Sequence, residues 1–123
     1  MTLSIILPVF NEVKSLEHVI SIWSKYLIKE KIIHEFVLCE DGSTDGTKEL
    51  IKKLEKKYFI SNQSVENRRG YGQGVIAGII AAKYEFILCI DSDGQCMPDS
   101  FDKFYKNRDI ADILIGNRRP RKD

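Results

Sequence analysis

The sequence predicts an α/β fold in which a Rossmann-like, mostly parallel sheet is flanked by helices. Short apolar runs alternate with segments of helical periodicity along the chain. The connections between them are short, which favours parallel strands joined by right-handed crossovers. The 123 residues suffice for one domain with a modest core, and 43% hydrophobic and 30% charged residues are ordinary for a globular protein.

The first half of the chain predicts two strands and two helices. Residues 3–9 form a continuous apolar run, which is typical of a buried strand. Apolar residues then recur at helical spacing over 13–27, and a second apolar run at 35–39 predicts another strand. Thr44 or Asp45 can cap the helix that follows.

The second half continues the alternation. It predicts a short strand at 59–62, a helix at 71–83, a central strand at 86–90, a helix at 99–105 and a last strand at 110–115. In the helix at 71–83, the residues predicted to face the core are Val75, Ile76, Ile79 and Ile80.

The cysteines and histidines carry no metal or disulfide pattern. Cys39, Cys89 and Cys96 are odd in number and form no Cys-x-x-Cys pair, which argues against a disulfide framework and favours a reducing compartment. Cys39 and Cys89 lie in apolar runs and are predicted to be core residues. His18 and His34 have no ligand-like neighbour in sequence and are predicted to lie at the surface.

Charge and hydropathy exclude several classes of protein. Lys and Arg number 19 against 18 Asp and Glu, and this net charge of +1 gives no reason to expect broad nucleic-acid binding. No apolar stretch approaches the roughly 18 residues that span a bilayer, and no signal peptide precedes the first strand. The sequence therefore predicts a cytosolic chain.

Polar and charged side chains gather where the predicted strands end. In open α/β sheets, ligands bind beyond the carboxyl ends of the strands. Candidate site residues at or near those ends are Pro8, Phe10, Glu12, Asp41, Asp91, Asp93, Gln95 and Arg118. This convergence predicts one binding site at that edge of the sheet.

Asp91 and Asp93 are the sharpest candidates. In extended backbone, side chains at i and i+2 point to the same side. Two close carboxylates repel each other unless a cation lies between them or one takes up a proton. Mg²⁺ or Mn²⁺ suits oxygen ligands and commonly combines carboxylates with substrate phosphates, and Gln95 offers a further amide oxygen. The alternative is a solvated turn or helix cap.

Three further positions have weaker signals. Asp41 directly follows a strand and can accept a hydrogen bond from a base edge or a ribose hydroxyl, whereas Asp45 is better explained as a helix cap. Gly70 lies in a glycine-rich helix start, where backbone can approach a phosphate closely, although a flexible turn explains it equally well. Arg118 can bind phosphate oxygens, or it belongs to a frayed basic terminus.

Together these segments resemble glycosyltransferase family 2, whose catalytic domain has the GT-A fold. The motifs that carry the resemblance are LPVFNE at 7–12, EDGSTD at 40–45, RGYGQG at 69–74 and DSDGQ at 91–95. The DSDGQ form and the ending GNRRPRKD at 116–123 look most like the polyprenyl- and dolichol-phosphate branch.

The resemblance implies metal-dependent transfer of a hexose from a UDP- or GDP-sugar, with inversion, to a polyprenyl phosphate in the building of cell-envelope glycans. It implies Mg²⁺ or Mn²⁺ and, for the full-length protein, a place at the cytoplasmic face of a membrane. By motif position, Asp91 and Asp93 are the catalytic pair and hold the metal with Gln95. The implied substrate-binding residues are Pro8, Phe10, Glu12, Asp41, Gly70, Asp91 and Arg118.

The chain departs from the family because the second half of the GT-A fold, with its acceptor site, is absent. We therefore expect residues 1–123 to be a nucleotide-sugar-binding domain, truncated at its C-terminus, that binds donor without completing transfer. Such a chain would expose apolar surface and self-associate.

Three alternatives remain open. A sugar nucleotidyltransferase would carry a glycine-rich basic loop after the first strand, where this chain has PVFNE at 8–12. A non-catalytic nucleotide-sugar-binding domain would have the same sequence features as a catalytic fragment. A receiver domain would need a lone phospho-accepting Asp and a late Lys, for which the sequence has no convincing equivalent.

Overall fold

The computed structural model describes residues 2–116. Strands and helices alternate through this part of the chain, in the order β1 (Thr2–Val9), α1 (Leu16–Lys29), β2 (Ile33–Glu40), α2 (Thr47–Leu54), β3 (Ile60–Asn62), α3 (Tyr71–Ala81), β4 (Phe86–Cys89) and α4 (Pro98–Lys106).

The described strands form one parallel sheet in the order β3-β2-β1-β4. β1 pairs with β2 from Thr2↔Ile33 to Val9↔Glu40, and its other edge pairs with β4 from Leu3↔Phe86 onward. The chain thus lays β2 and β3 on one side of β1 and then crosses to the other side for β4. The predicted α/β fold with a parallel sheet is confirmed.

The larger core lies on the face of the sheet covered by α1, α2 and α4. Leu3, Ile5 and Leu7 point to this face, because alternate residues of a strand share one side. Trp23 of α1 is buried there, and its indole N–H donates to the carbonyl oxygen of Cys96 at 3.0 Å. This bond ties the segment after β4 to α1.

Helix α3 covers the opposite face and approaches it through glycine. A Cβ added at Gly78 would lie 2.5 Å from Cys39 Sγ and 2.6 Å from Ile6 Cγ2, so only glycine fits between the helix and the sheet. The predicted inward orientation of the α3 isoleucines is therefore wrong. Ile76, Ile79 and Ile80 are 52%, 42% and 79% exposed, and Val75 is only half-buried.

A buried polar network holds the start of β4 against β1 and β2. Ser4 Oγ donates to Glu35 Oε2 at 2.6 Å and accepts the N–H of Tyr84 at 3.1 Å. Glu35 Oε2 also accepts the N–H of Lys83 at 2.9 Å. The Glu35 carboxylate can be buried because these hydrogen bonds replace water.

Three predictions about the second half of the chain are wrong. β4 is an edge strand of the described sheet rather than a central one, and Cys89 is exposed. Residues 110–115, predicted as a strand, have no regular structure, and Ile110, Ile113 and Ile115 are at least 73% exposed. An apolar run forms a strand only where it has a neighbouring strand, and no described strand pairs with the outer edge of β4.

Of the remaining predictions about single residues, two are confirmed and one is wrong. Cys39 is buried and His18 is exposed, as predicted. His34 is buried instead of exposed, because its ring packs edge-on against Phe36 and Phe59 at centroid distances of 5.4 and 5.9 Å. Of the described helices, none has the length and apolar character to cross a bilayer.

Candidate nucleotide-binding site

The chain adds β2 and β3 on one side of β1 and β4 on the other, and a cleft lies at the carboxyl ends of β1 and β4. In open α/β sheets, ligands bind at such a switch point, outside the carboxyl ends of the strands. The cleft has a volume of about 210 Å³. This volume is below the roughly 300–1,000 Å³ of typical small-molecule pockets.

The loop after β1 is fastened to the loop after β2. Asn11 has a φ of 52°, and in this turn its N–H donates to Ser43 Oγ while its side-chain oxygen accepts the N–H of Thr44, both at 2.9 Å. The N–H of Glu12 donates to Thr47 Oγ1 at 3.1 Å. These bonds set the positions of Phe10 and Glu12 at the mouth of the cleft.

Asp45 belongs to this scaffold. Its Oδ1 accepts the N–H of Thr47, the first residue of α2, at 3.1 Å, and its Oδ2 accepts the N–H of Val13 at 3.3 Å. Asp45 therefore accepts the first N–H of α2, but the N-cap position predicted for Thr44 or Asp45 is occupied by Gly46.

Asp41 is buried at the end of β2 and faces the cleft. Its Oδ1 accepts the N–H of Arg69 at 2.8 Å, its Oδ2 accepts the N–H of Gly70 at 3.2 Å, and Arg68 Nε lies 3.5 Å from Oδ2. Burial raises the pKa of Asp41, but these hydrogen bonds and the Arg68 guanidinium outweigh it, so the net pKa lies below the ordinary value. The carboxylate is ionised at neutral pH and only accepts hydrogen bonds.

Asp91 and Asp93 line the cleft from the end of β4. The backbone at Ser92 and Asp93 forms a turn, not the extended conformation assumed in the prediction, yet both carboxylates line the same cleft. Buried Ser92 lies between them and donates from Oγ to the carbonyl oxygen of Pro8 at 3.0 Å. This bond holds the acidic turn against the end of β1.

The acidic pair fits a divalent cation that takes its other ligands from substrate and water. Within residues 2–116, no group of three His, Cys, Asp or Glu side chains is arranged to hold a metal. Two carboxylates beside an open cleft match Mg²⁺ or Mn²⁺ bound through one or two carboxylates plus phosphate oxygens. Gln95 does not line the cleft, and its backbone N–H donates to Asp93 Oδ1 at 3.1 Å.

The structure brings most of the predicted site residues together. Those that line the cleft are Pro8, Phe10, Glu12, Asp41, Gly70, Asp91 and Asp93. Arg118 lies outside the described residues, so its predicted contact with phosphate stays a prediction.

Other cleft residues were not singled out from the sequence: Val9, Cys39, Arg68, Tyr71, Gly74 and Ser92. Tyr71 directs its hydroxyl toward Asp91 Oδ1 at 3.5 Å, and the Arg68 guanidinium carbon lies 3.7 Å from the centre of the Phe10 ring. The glycine-rich segment 67–74 signalled that this loop approaches the site, but it did not indicate which of its side chains enter.

Comparison with known proteins identifies a family of enzymes. A family model described as glycosyl transferase family 2 matches residues 4–123. A dolichyl-phosphate beta-glucosyltransferase of Trichomonas vaginalis is 34% identical over 112 residues, covering 85% of this chain and 34% of that protein. A dodecaprenyl-phosphate galacturonate synthase of Rhizobium johnstonii is 30% identical, covering 100% of this chain and 38% of that protein.

A third relative is named for a polysaccharide product and not for a lipid phosphate. A poly-beta-1,6-N-acetyl-D-glucosamine synthase of Staphylococcus epidermidis is 28% identical over 97% of this chain and 29% of that protein. The chain thus spans 29–38% of the length of these relatives.

Solved structures share the fold. S. aureus TarS 1-349 in complex with UDP has a TM-score of 0.59 and 28% identity, covering 76% of this chain and 28% of that one. The mannosyltransferase PcManGT from Pyrobaculum calidifontis, in complex with GDP-Man and Mn²⁺, has a TM-score of 0.65 and 22% identity, covering 74% and 27%.

Proposed function

This chain belongs to glycosyl transferase family 2, and we propose that it is the donor-binding part of an enzyme that moves a sugar from a nucleoside diphosphate to a polyprenyl phosphate. The observation that carries the proposal is the convergence of Pro8, Asp41 and Asp91, from three different strands, in one cleft at the switch point of the sheet.

The two ends of the cleft suit the two ends of a nucleotide-sugar. At one end, Phe10 offers an aromatic ring and Asp41 an ionised acceptor, which suit a base. Asp91 and Asp93 supply carboxylates from the turn after β4, whereas Gly70, whose N–H donates to Asp41 Oδ2, lines the cleft beside Asp41. The UDP held by the 28% identical TarS supports a nucleoside diphosphate as ligand.

We assign Asp91 and Asp93, followed in the same turn by Gln95, to Mg²⁺ or Mn²⁺. When bound, a divalent cation stabilises the negative charge that develops on a diphosphate leaving group. The chain's own contribution is to hold both carboxylates on the cleft side, through the Ser92 hydroxyl on the carbonyl of Pro8. Arg118 is assigned to the phosphates by motif position.

A lipid phosphate is the proposed acceptor. Two relatives at 34% and 30% identity are named for dolichyl and dodecaprenyl phosphate. A phosphate acceptor is already anionic, so it needs little help from a general base, and attack opposite the diphosphate inverts the anomeric carbon. A polysaccharide acceptor is the second candidate, because the 28% identical S. epidermidis relative is a polysaccharide synthase.

Calorimetry with UDP and GDP, each with Mn²⁺ and with EDTA, tests the donor site. We expect binding of at least one diphosphate that depends on the metal. Asp93→Ala should weaken it by about 1.5–3 kcal/mol, the usual loss for a charge-assisted contact. Asp109→Ala removes an exposed carboxylate outside the cleft and serves as the matched control.

Equal affinity in EDTA would refute the metal assignment, and absence of diphosphate binding would refute the donor site. The acceptor is tested by sugar transfer to polyprenyl phosphate and to a polysaccharide primer in the protein that carries this domain. Sugar transfer to the polysaccharide primer and not to polyprenyl phosphate would make a polysaccharide the acceptor.

A further inference from the structure

Tyr71 connects the start of α3 with the turn after β4. Its hydroxyl lies 3.5 Å from Asp91 Oδ1, and both residues line the cleft. Tyr71 is 65% exposed, so this contact contributes little to folding, because water competes for both groups. The contact is therefore better explained by the chemistry of the cleft than by the stability of the fold.

The backbone that carries Tyr71 is fixed by hydrogen bonds. Asp41 accepts the N–H groups of Arg69 and Gly70, which directly precede Tyr71, at 2.8 and 3.2 Å. Gly70 has a φ of 89°, a conformation that residues with a side chain rarely adopt. Its carbonyl oxygen accepts the N–H of Gly74 at 3.0 Å as α3 begins. These bonds set the position from which the Tyr71 side chain extends.

The backbone that carries Asp91 is held as well. The next residue, Ser92, is buried and donates from Oγ to the carbonyl oxygen of Pro8 at 3.0 Å. The carbonyl oxygen of Ser92 accepts the hydroxyl of Ser15 at 3.1 Å. Because both backbones are held, the distance between the Tyr71 hydroxyl and Asp91 depends mainly on side-chain torsions. A small rotation shortens 3.5 Å to the 2.5–3.0 Å of an ordinary O–H···O bond.

A hydroxyl donor suits a carboxylate that binds a cation. An ionised carboxylate only accepts hydrogen bonds, whereas a tyrosine hydroxyl can donate one. Carboxylates that bind metals are themselves hydrogen-bonded by neighbouring groups, which fix their orientation. Loss of such a neighbour typically lowers metal affinity or activity by about 10- to 100-fold. Tyr71 has the position of such a neighbour, because its hydroxyl approaches Asp91 from outside the acidic turn.

We propose that Tyr71 is a positioning residue that orients the Asp91 carboxylate for the divalent cation through its hydroxyl. The hydroxyl acts on the metal ligand and not on the base or the sugar. The inference rests on the proposed function, because it requires that Asp91 bind the cation.

The test compares Tyr71→Phe with the unaltered chain in calorimetric titrations of UDP and GDP, each with Mn²⁺ and with EDTA. The substitution keeps the ring and removes only the hydroxyl. It should weaken binding with Mn²⁺ about tenfold, the lower end of the usual range for such a neighbour, and leave the affinity in EDTA unchanged. Electron paramagnetic resonance of free Mn²⁺ at saturating diphosphate, compared between the two proteins, measures the loss of metal affinity directly.

Tyr26→Phe is the matched control. The Tyr26 hydroxyl also lies 3.5 Å from an aspartate oxygen, Oδ1 of Asp102, but this pair joins α1 to α4 and does not line the cleft. The control should keep the affinities of the unaltered chain with Mn²⁺ and with EDTA. Urea denaturation verifies that each variant is folded, and Tyr71→Phe should unfold at the same urea concentration as the unaltered chain because Tyr71 is exposed.

Three results overturn the inference while leaving the donor site intact. Equal affinity of Tyr71→Phe and the unaltered chain with Mn²⁺ would remove the role of the hydroxyl. Equal weakening with Mn²⁺ and with EDTA would make Tyr71 a direct contact of the nucleotide. Tighter binding of Mn²⁺ by Tyr71→Phe would show that the hydroxyl competes with the cation for Asp91. If the unaltered chain itself binds both diphosphates equally with Mn²⁺ and with EDTA, the metal assignment of the proposed function fails as well.

Discussion

Asp41 joins the cleft to the loop that precedes α3. Its position after β2 made it a candidate from the sequence alone, because parallel strands end at a common edge. Its contacts with Arg69 and Gly70 were not predictable, since residues 65–70 have no periodicity that would indicate the path of the loop. The same limit hid Arg68, whose position on Phe10 depends on that path.

The contacts of Asp41 predict a pH-dependent loss of stability. Asp41→Asn should lower the free energy of unfolding by about 1–3 kcal/mol at pH 7, because one amide oxygen cannot replace both carboxylate oxygens. The folded-state pKa of Asp41 lies below the unfolded value, which is about 3.9. The stabilisation is therefore present above about pH 4 and is lost as the pH falls through the folded-state pKa.

Urea denaturation of both proteins between pH 7 and pH 3 measures this difference. It should stay constant down to about pH 4 and shrink below that pH. A difference that already disappears between pH 7 and pH 5 would contradict the assignment. Asp109→Asn, at an exposed position, is the matched control.

At the scale of the element, the predicted first residue of α3 was correct, but the face predicted to point to the core was wrong. The rule that large apolar residues point to the core favoured the isoleucines. At Gly78 the helix instead lies so close to β1 and β2 that only glycine fits beneath it. The signal was present in the sequence as small residues at four-residue spacing: Gly74, Gly78 and Ala82.

Substitutions in α3 test this close approach. Gly78→Ala should destabilise the protein by about 1–3 kcal/mol, because the added methyl group would overlap Cys39 and Ile6. Gly72→Ala is the matched control in the same helix, since a Cβ there meets nothing within 4 Å. This control should be neutral or stabilise by about 0.5–1 kcal/mol. Equal stability of both variants in urea denaturation would contradict the packing described for Gly78.

The position of β4 within the sheet was the other property of an element that the sequence could not predict. The run at 86–90 is as apolar as that of an interior strand, yet β4 lies at an edge of the described sheet. Periodicity reports which faces a strand buries, whereas its neighbours are decided by contacts distant in sequence. The prediction of a strand at 110–115 was wrong for this reason. The apolar residues of that run are exposed and pair with no described strand.

At the scale of the whole molecule, the alternation of strands and helices was enough to predict the fold class and the edge that carries the site. Short connections restrict the topology to parallel strands, and parallel strands place their ends together. For that reason, residues as distant as Pro8, Asp41 and Asp91 could be assigned to one site before the structure was known. The apolar outer face of α3 could not be foreseen once its isoleucines had been assigned to the core.

The outer face of α3 predicts self-association, which we propose as a property of this chain. No charged residue occurs between Tyr71 and Ala81, and Ile80 is 79% exposed. Exposed contiguous apolar surface favours contact between copies. Light scattering should therefore show a mass above that of a monomer, and Ile80→Lys should lower it.

Ile28→Lys provides the control, because Ile28 is 65% exposed at the end of α1, on the opposite face of the sheet. This variant should keep the mass of the unaltered chain. A monomer at all concentrations of the unaltered chain would contradict self-association.

The switch point also makes the cleft a junction between remote stretches of the polypeptide. Its walls come from residues as far apart in sequence as Pro8 and Asp93, so a molecule bound there contacts both the end of β1 and the turn after β4. A ligand that binds only the folded chain raises the free energy of unfolding by about 2.7 kcal/mol when its concentration is 100 times Kd. If that ligand is a nucleotide, the unfolding temperature of the protein depends on the nucleotide concentration around it. The protein then unfolds at a higher temperature in a cell rich in its donor than in a cell depleted of it.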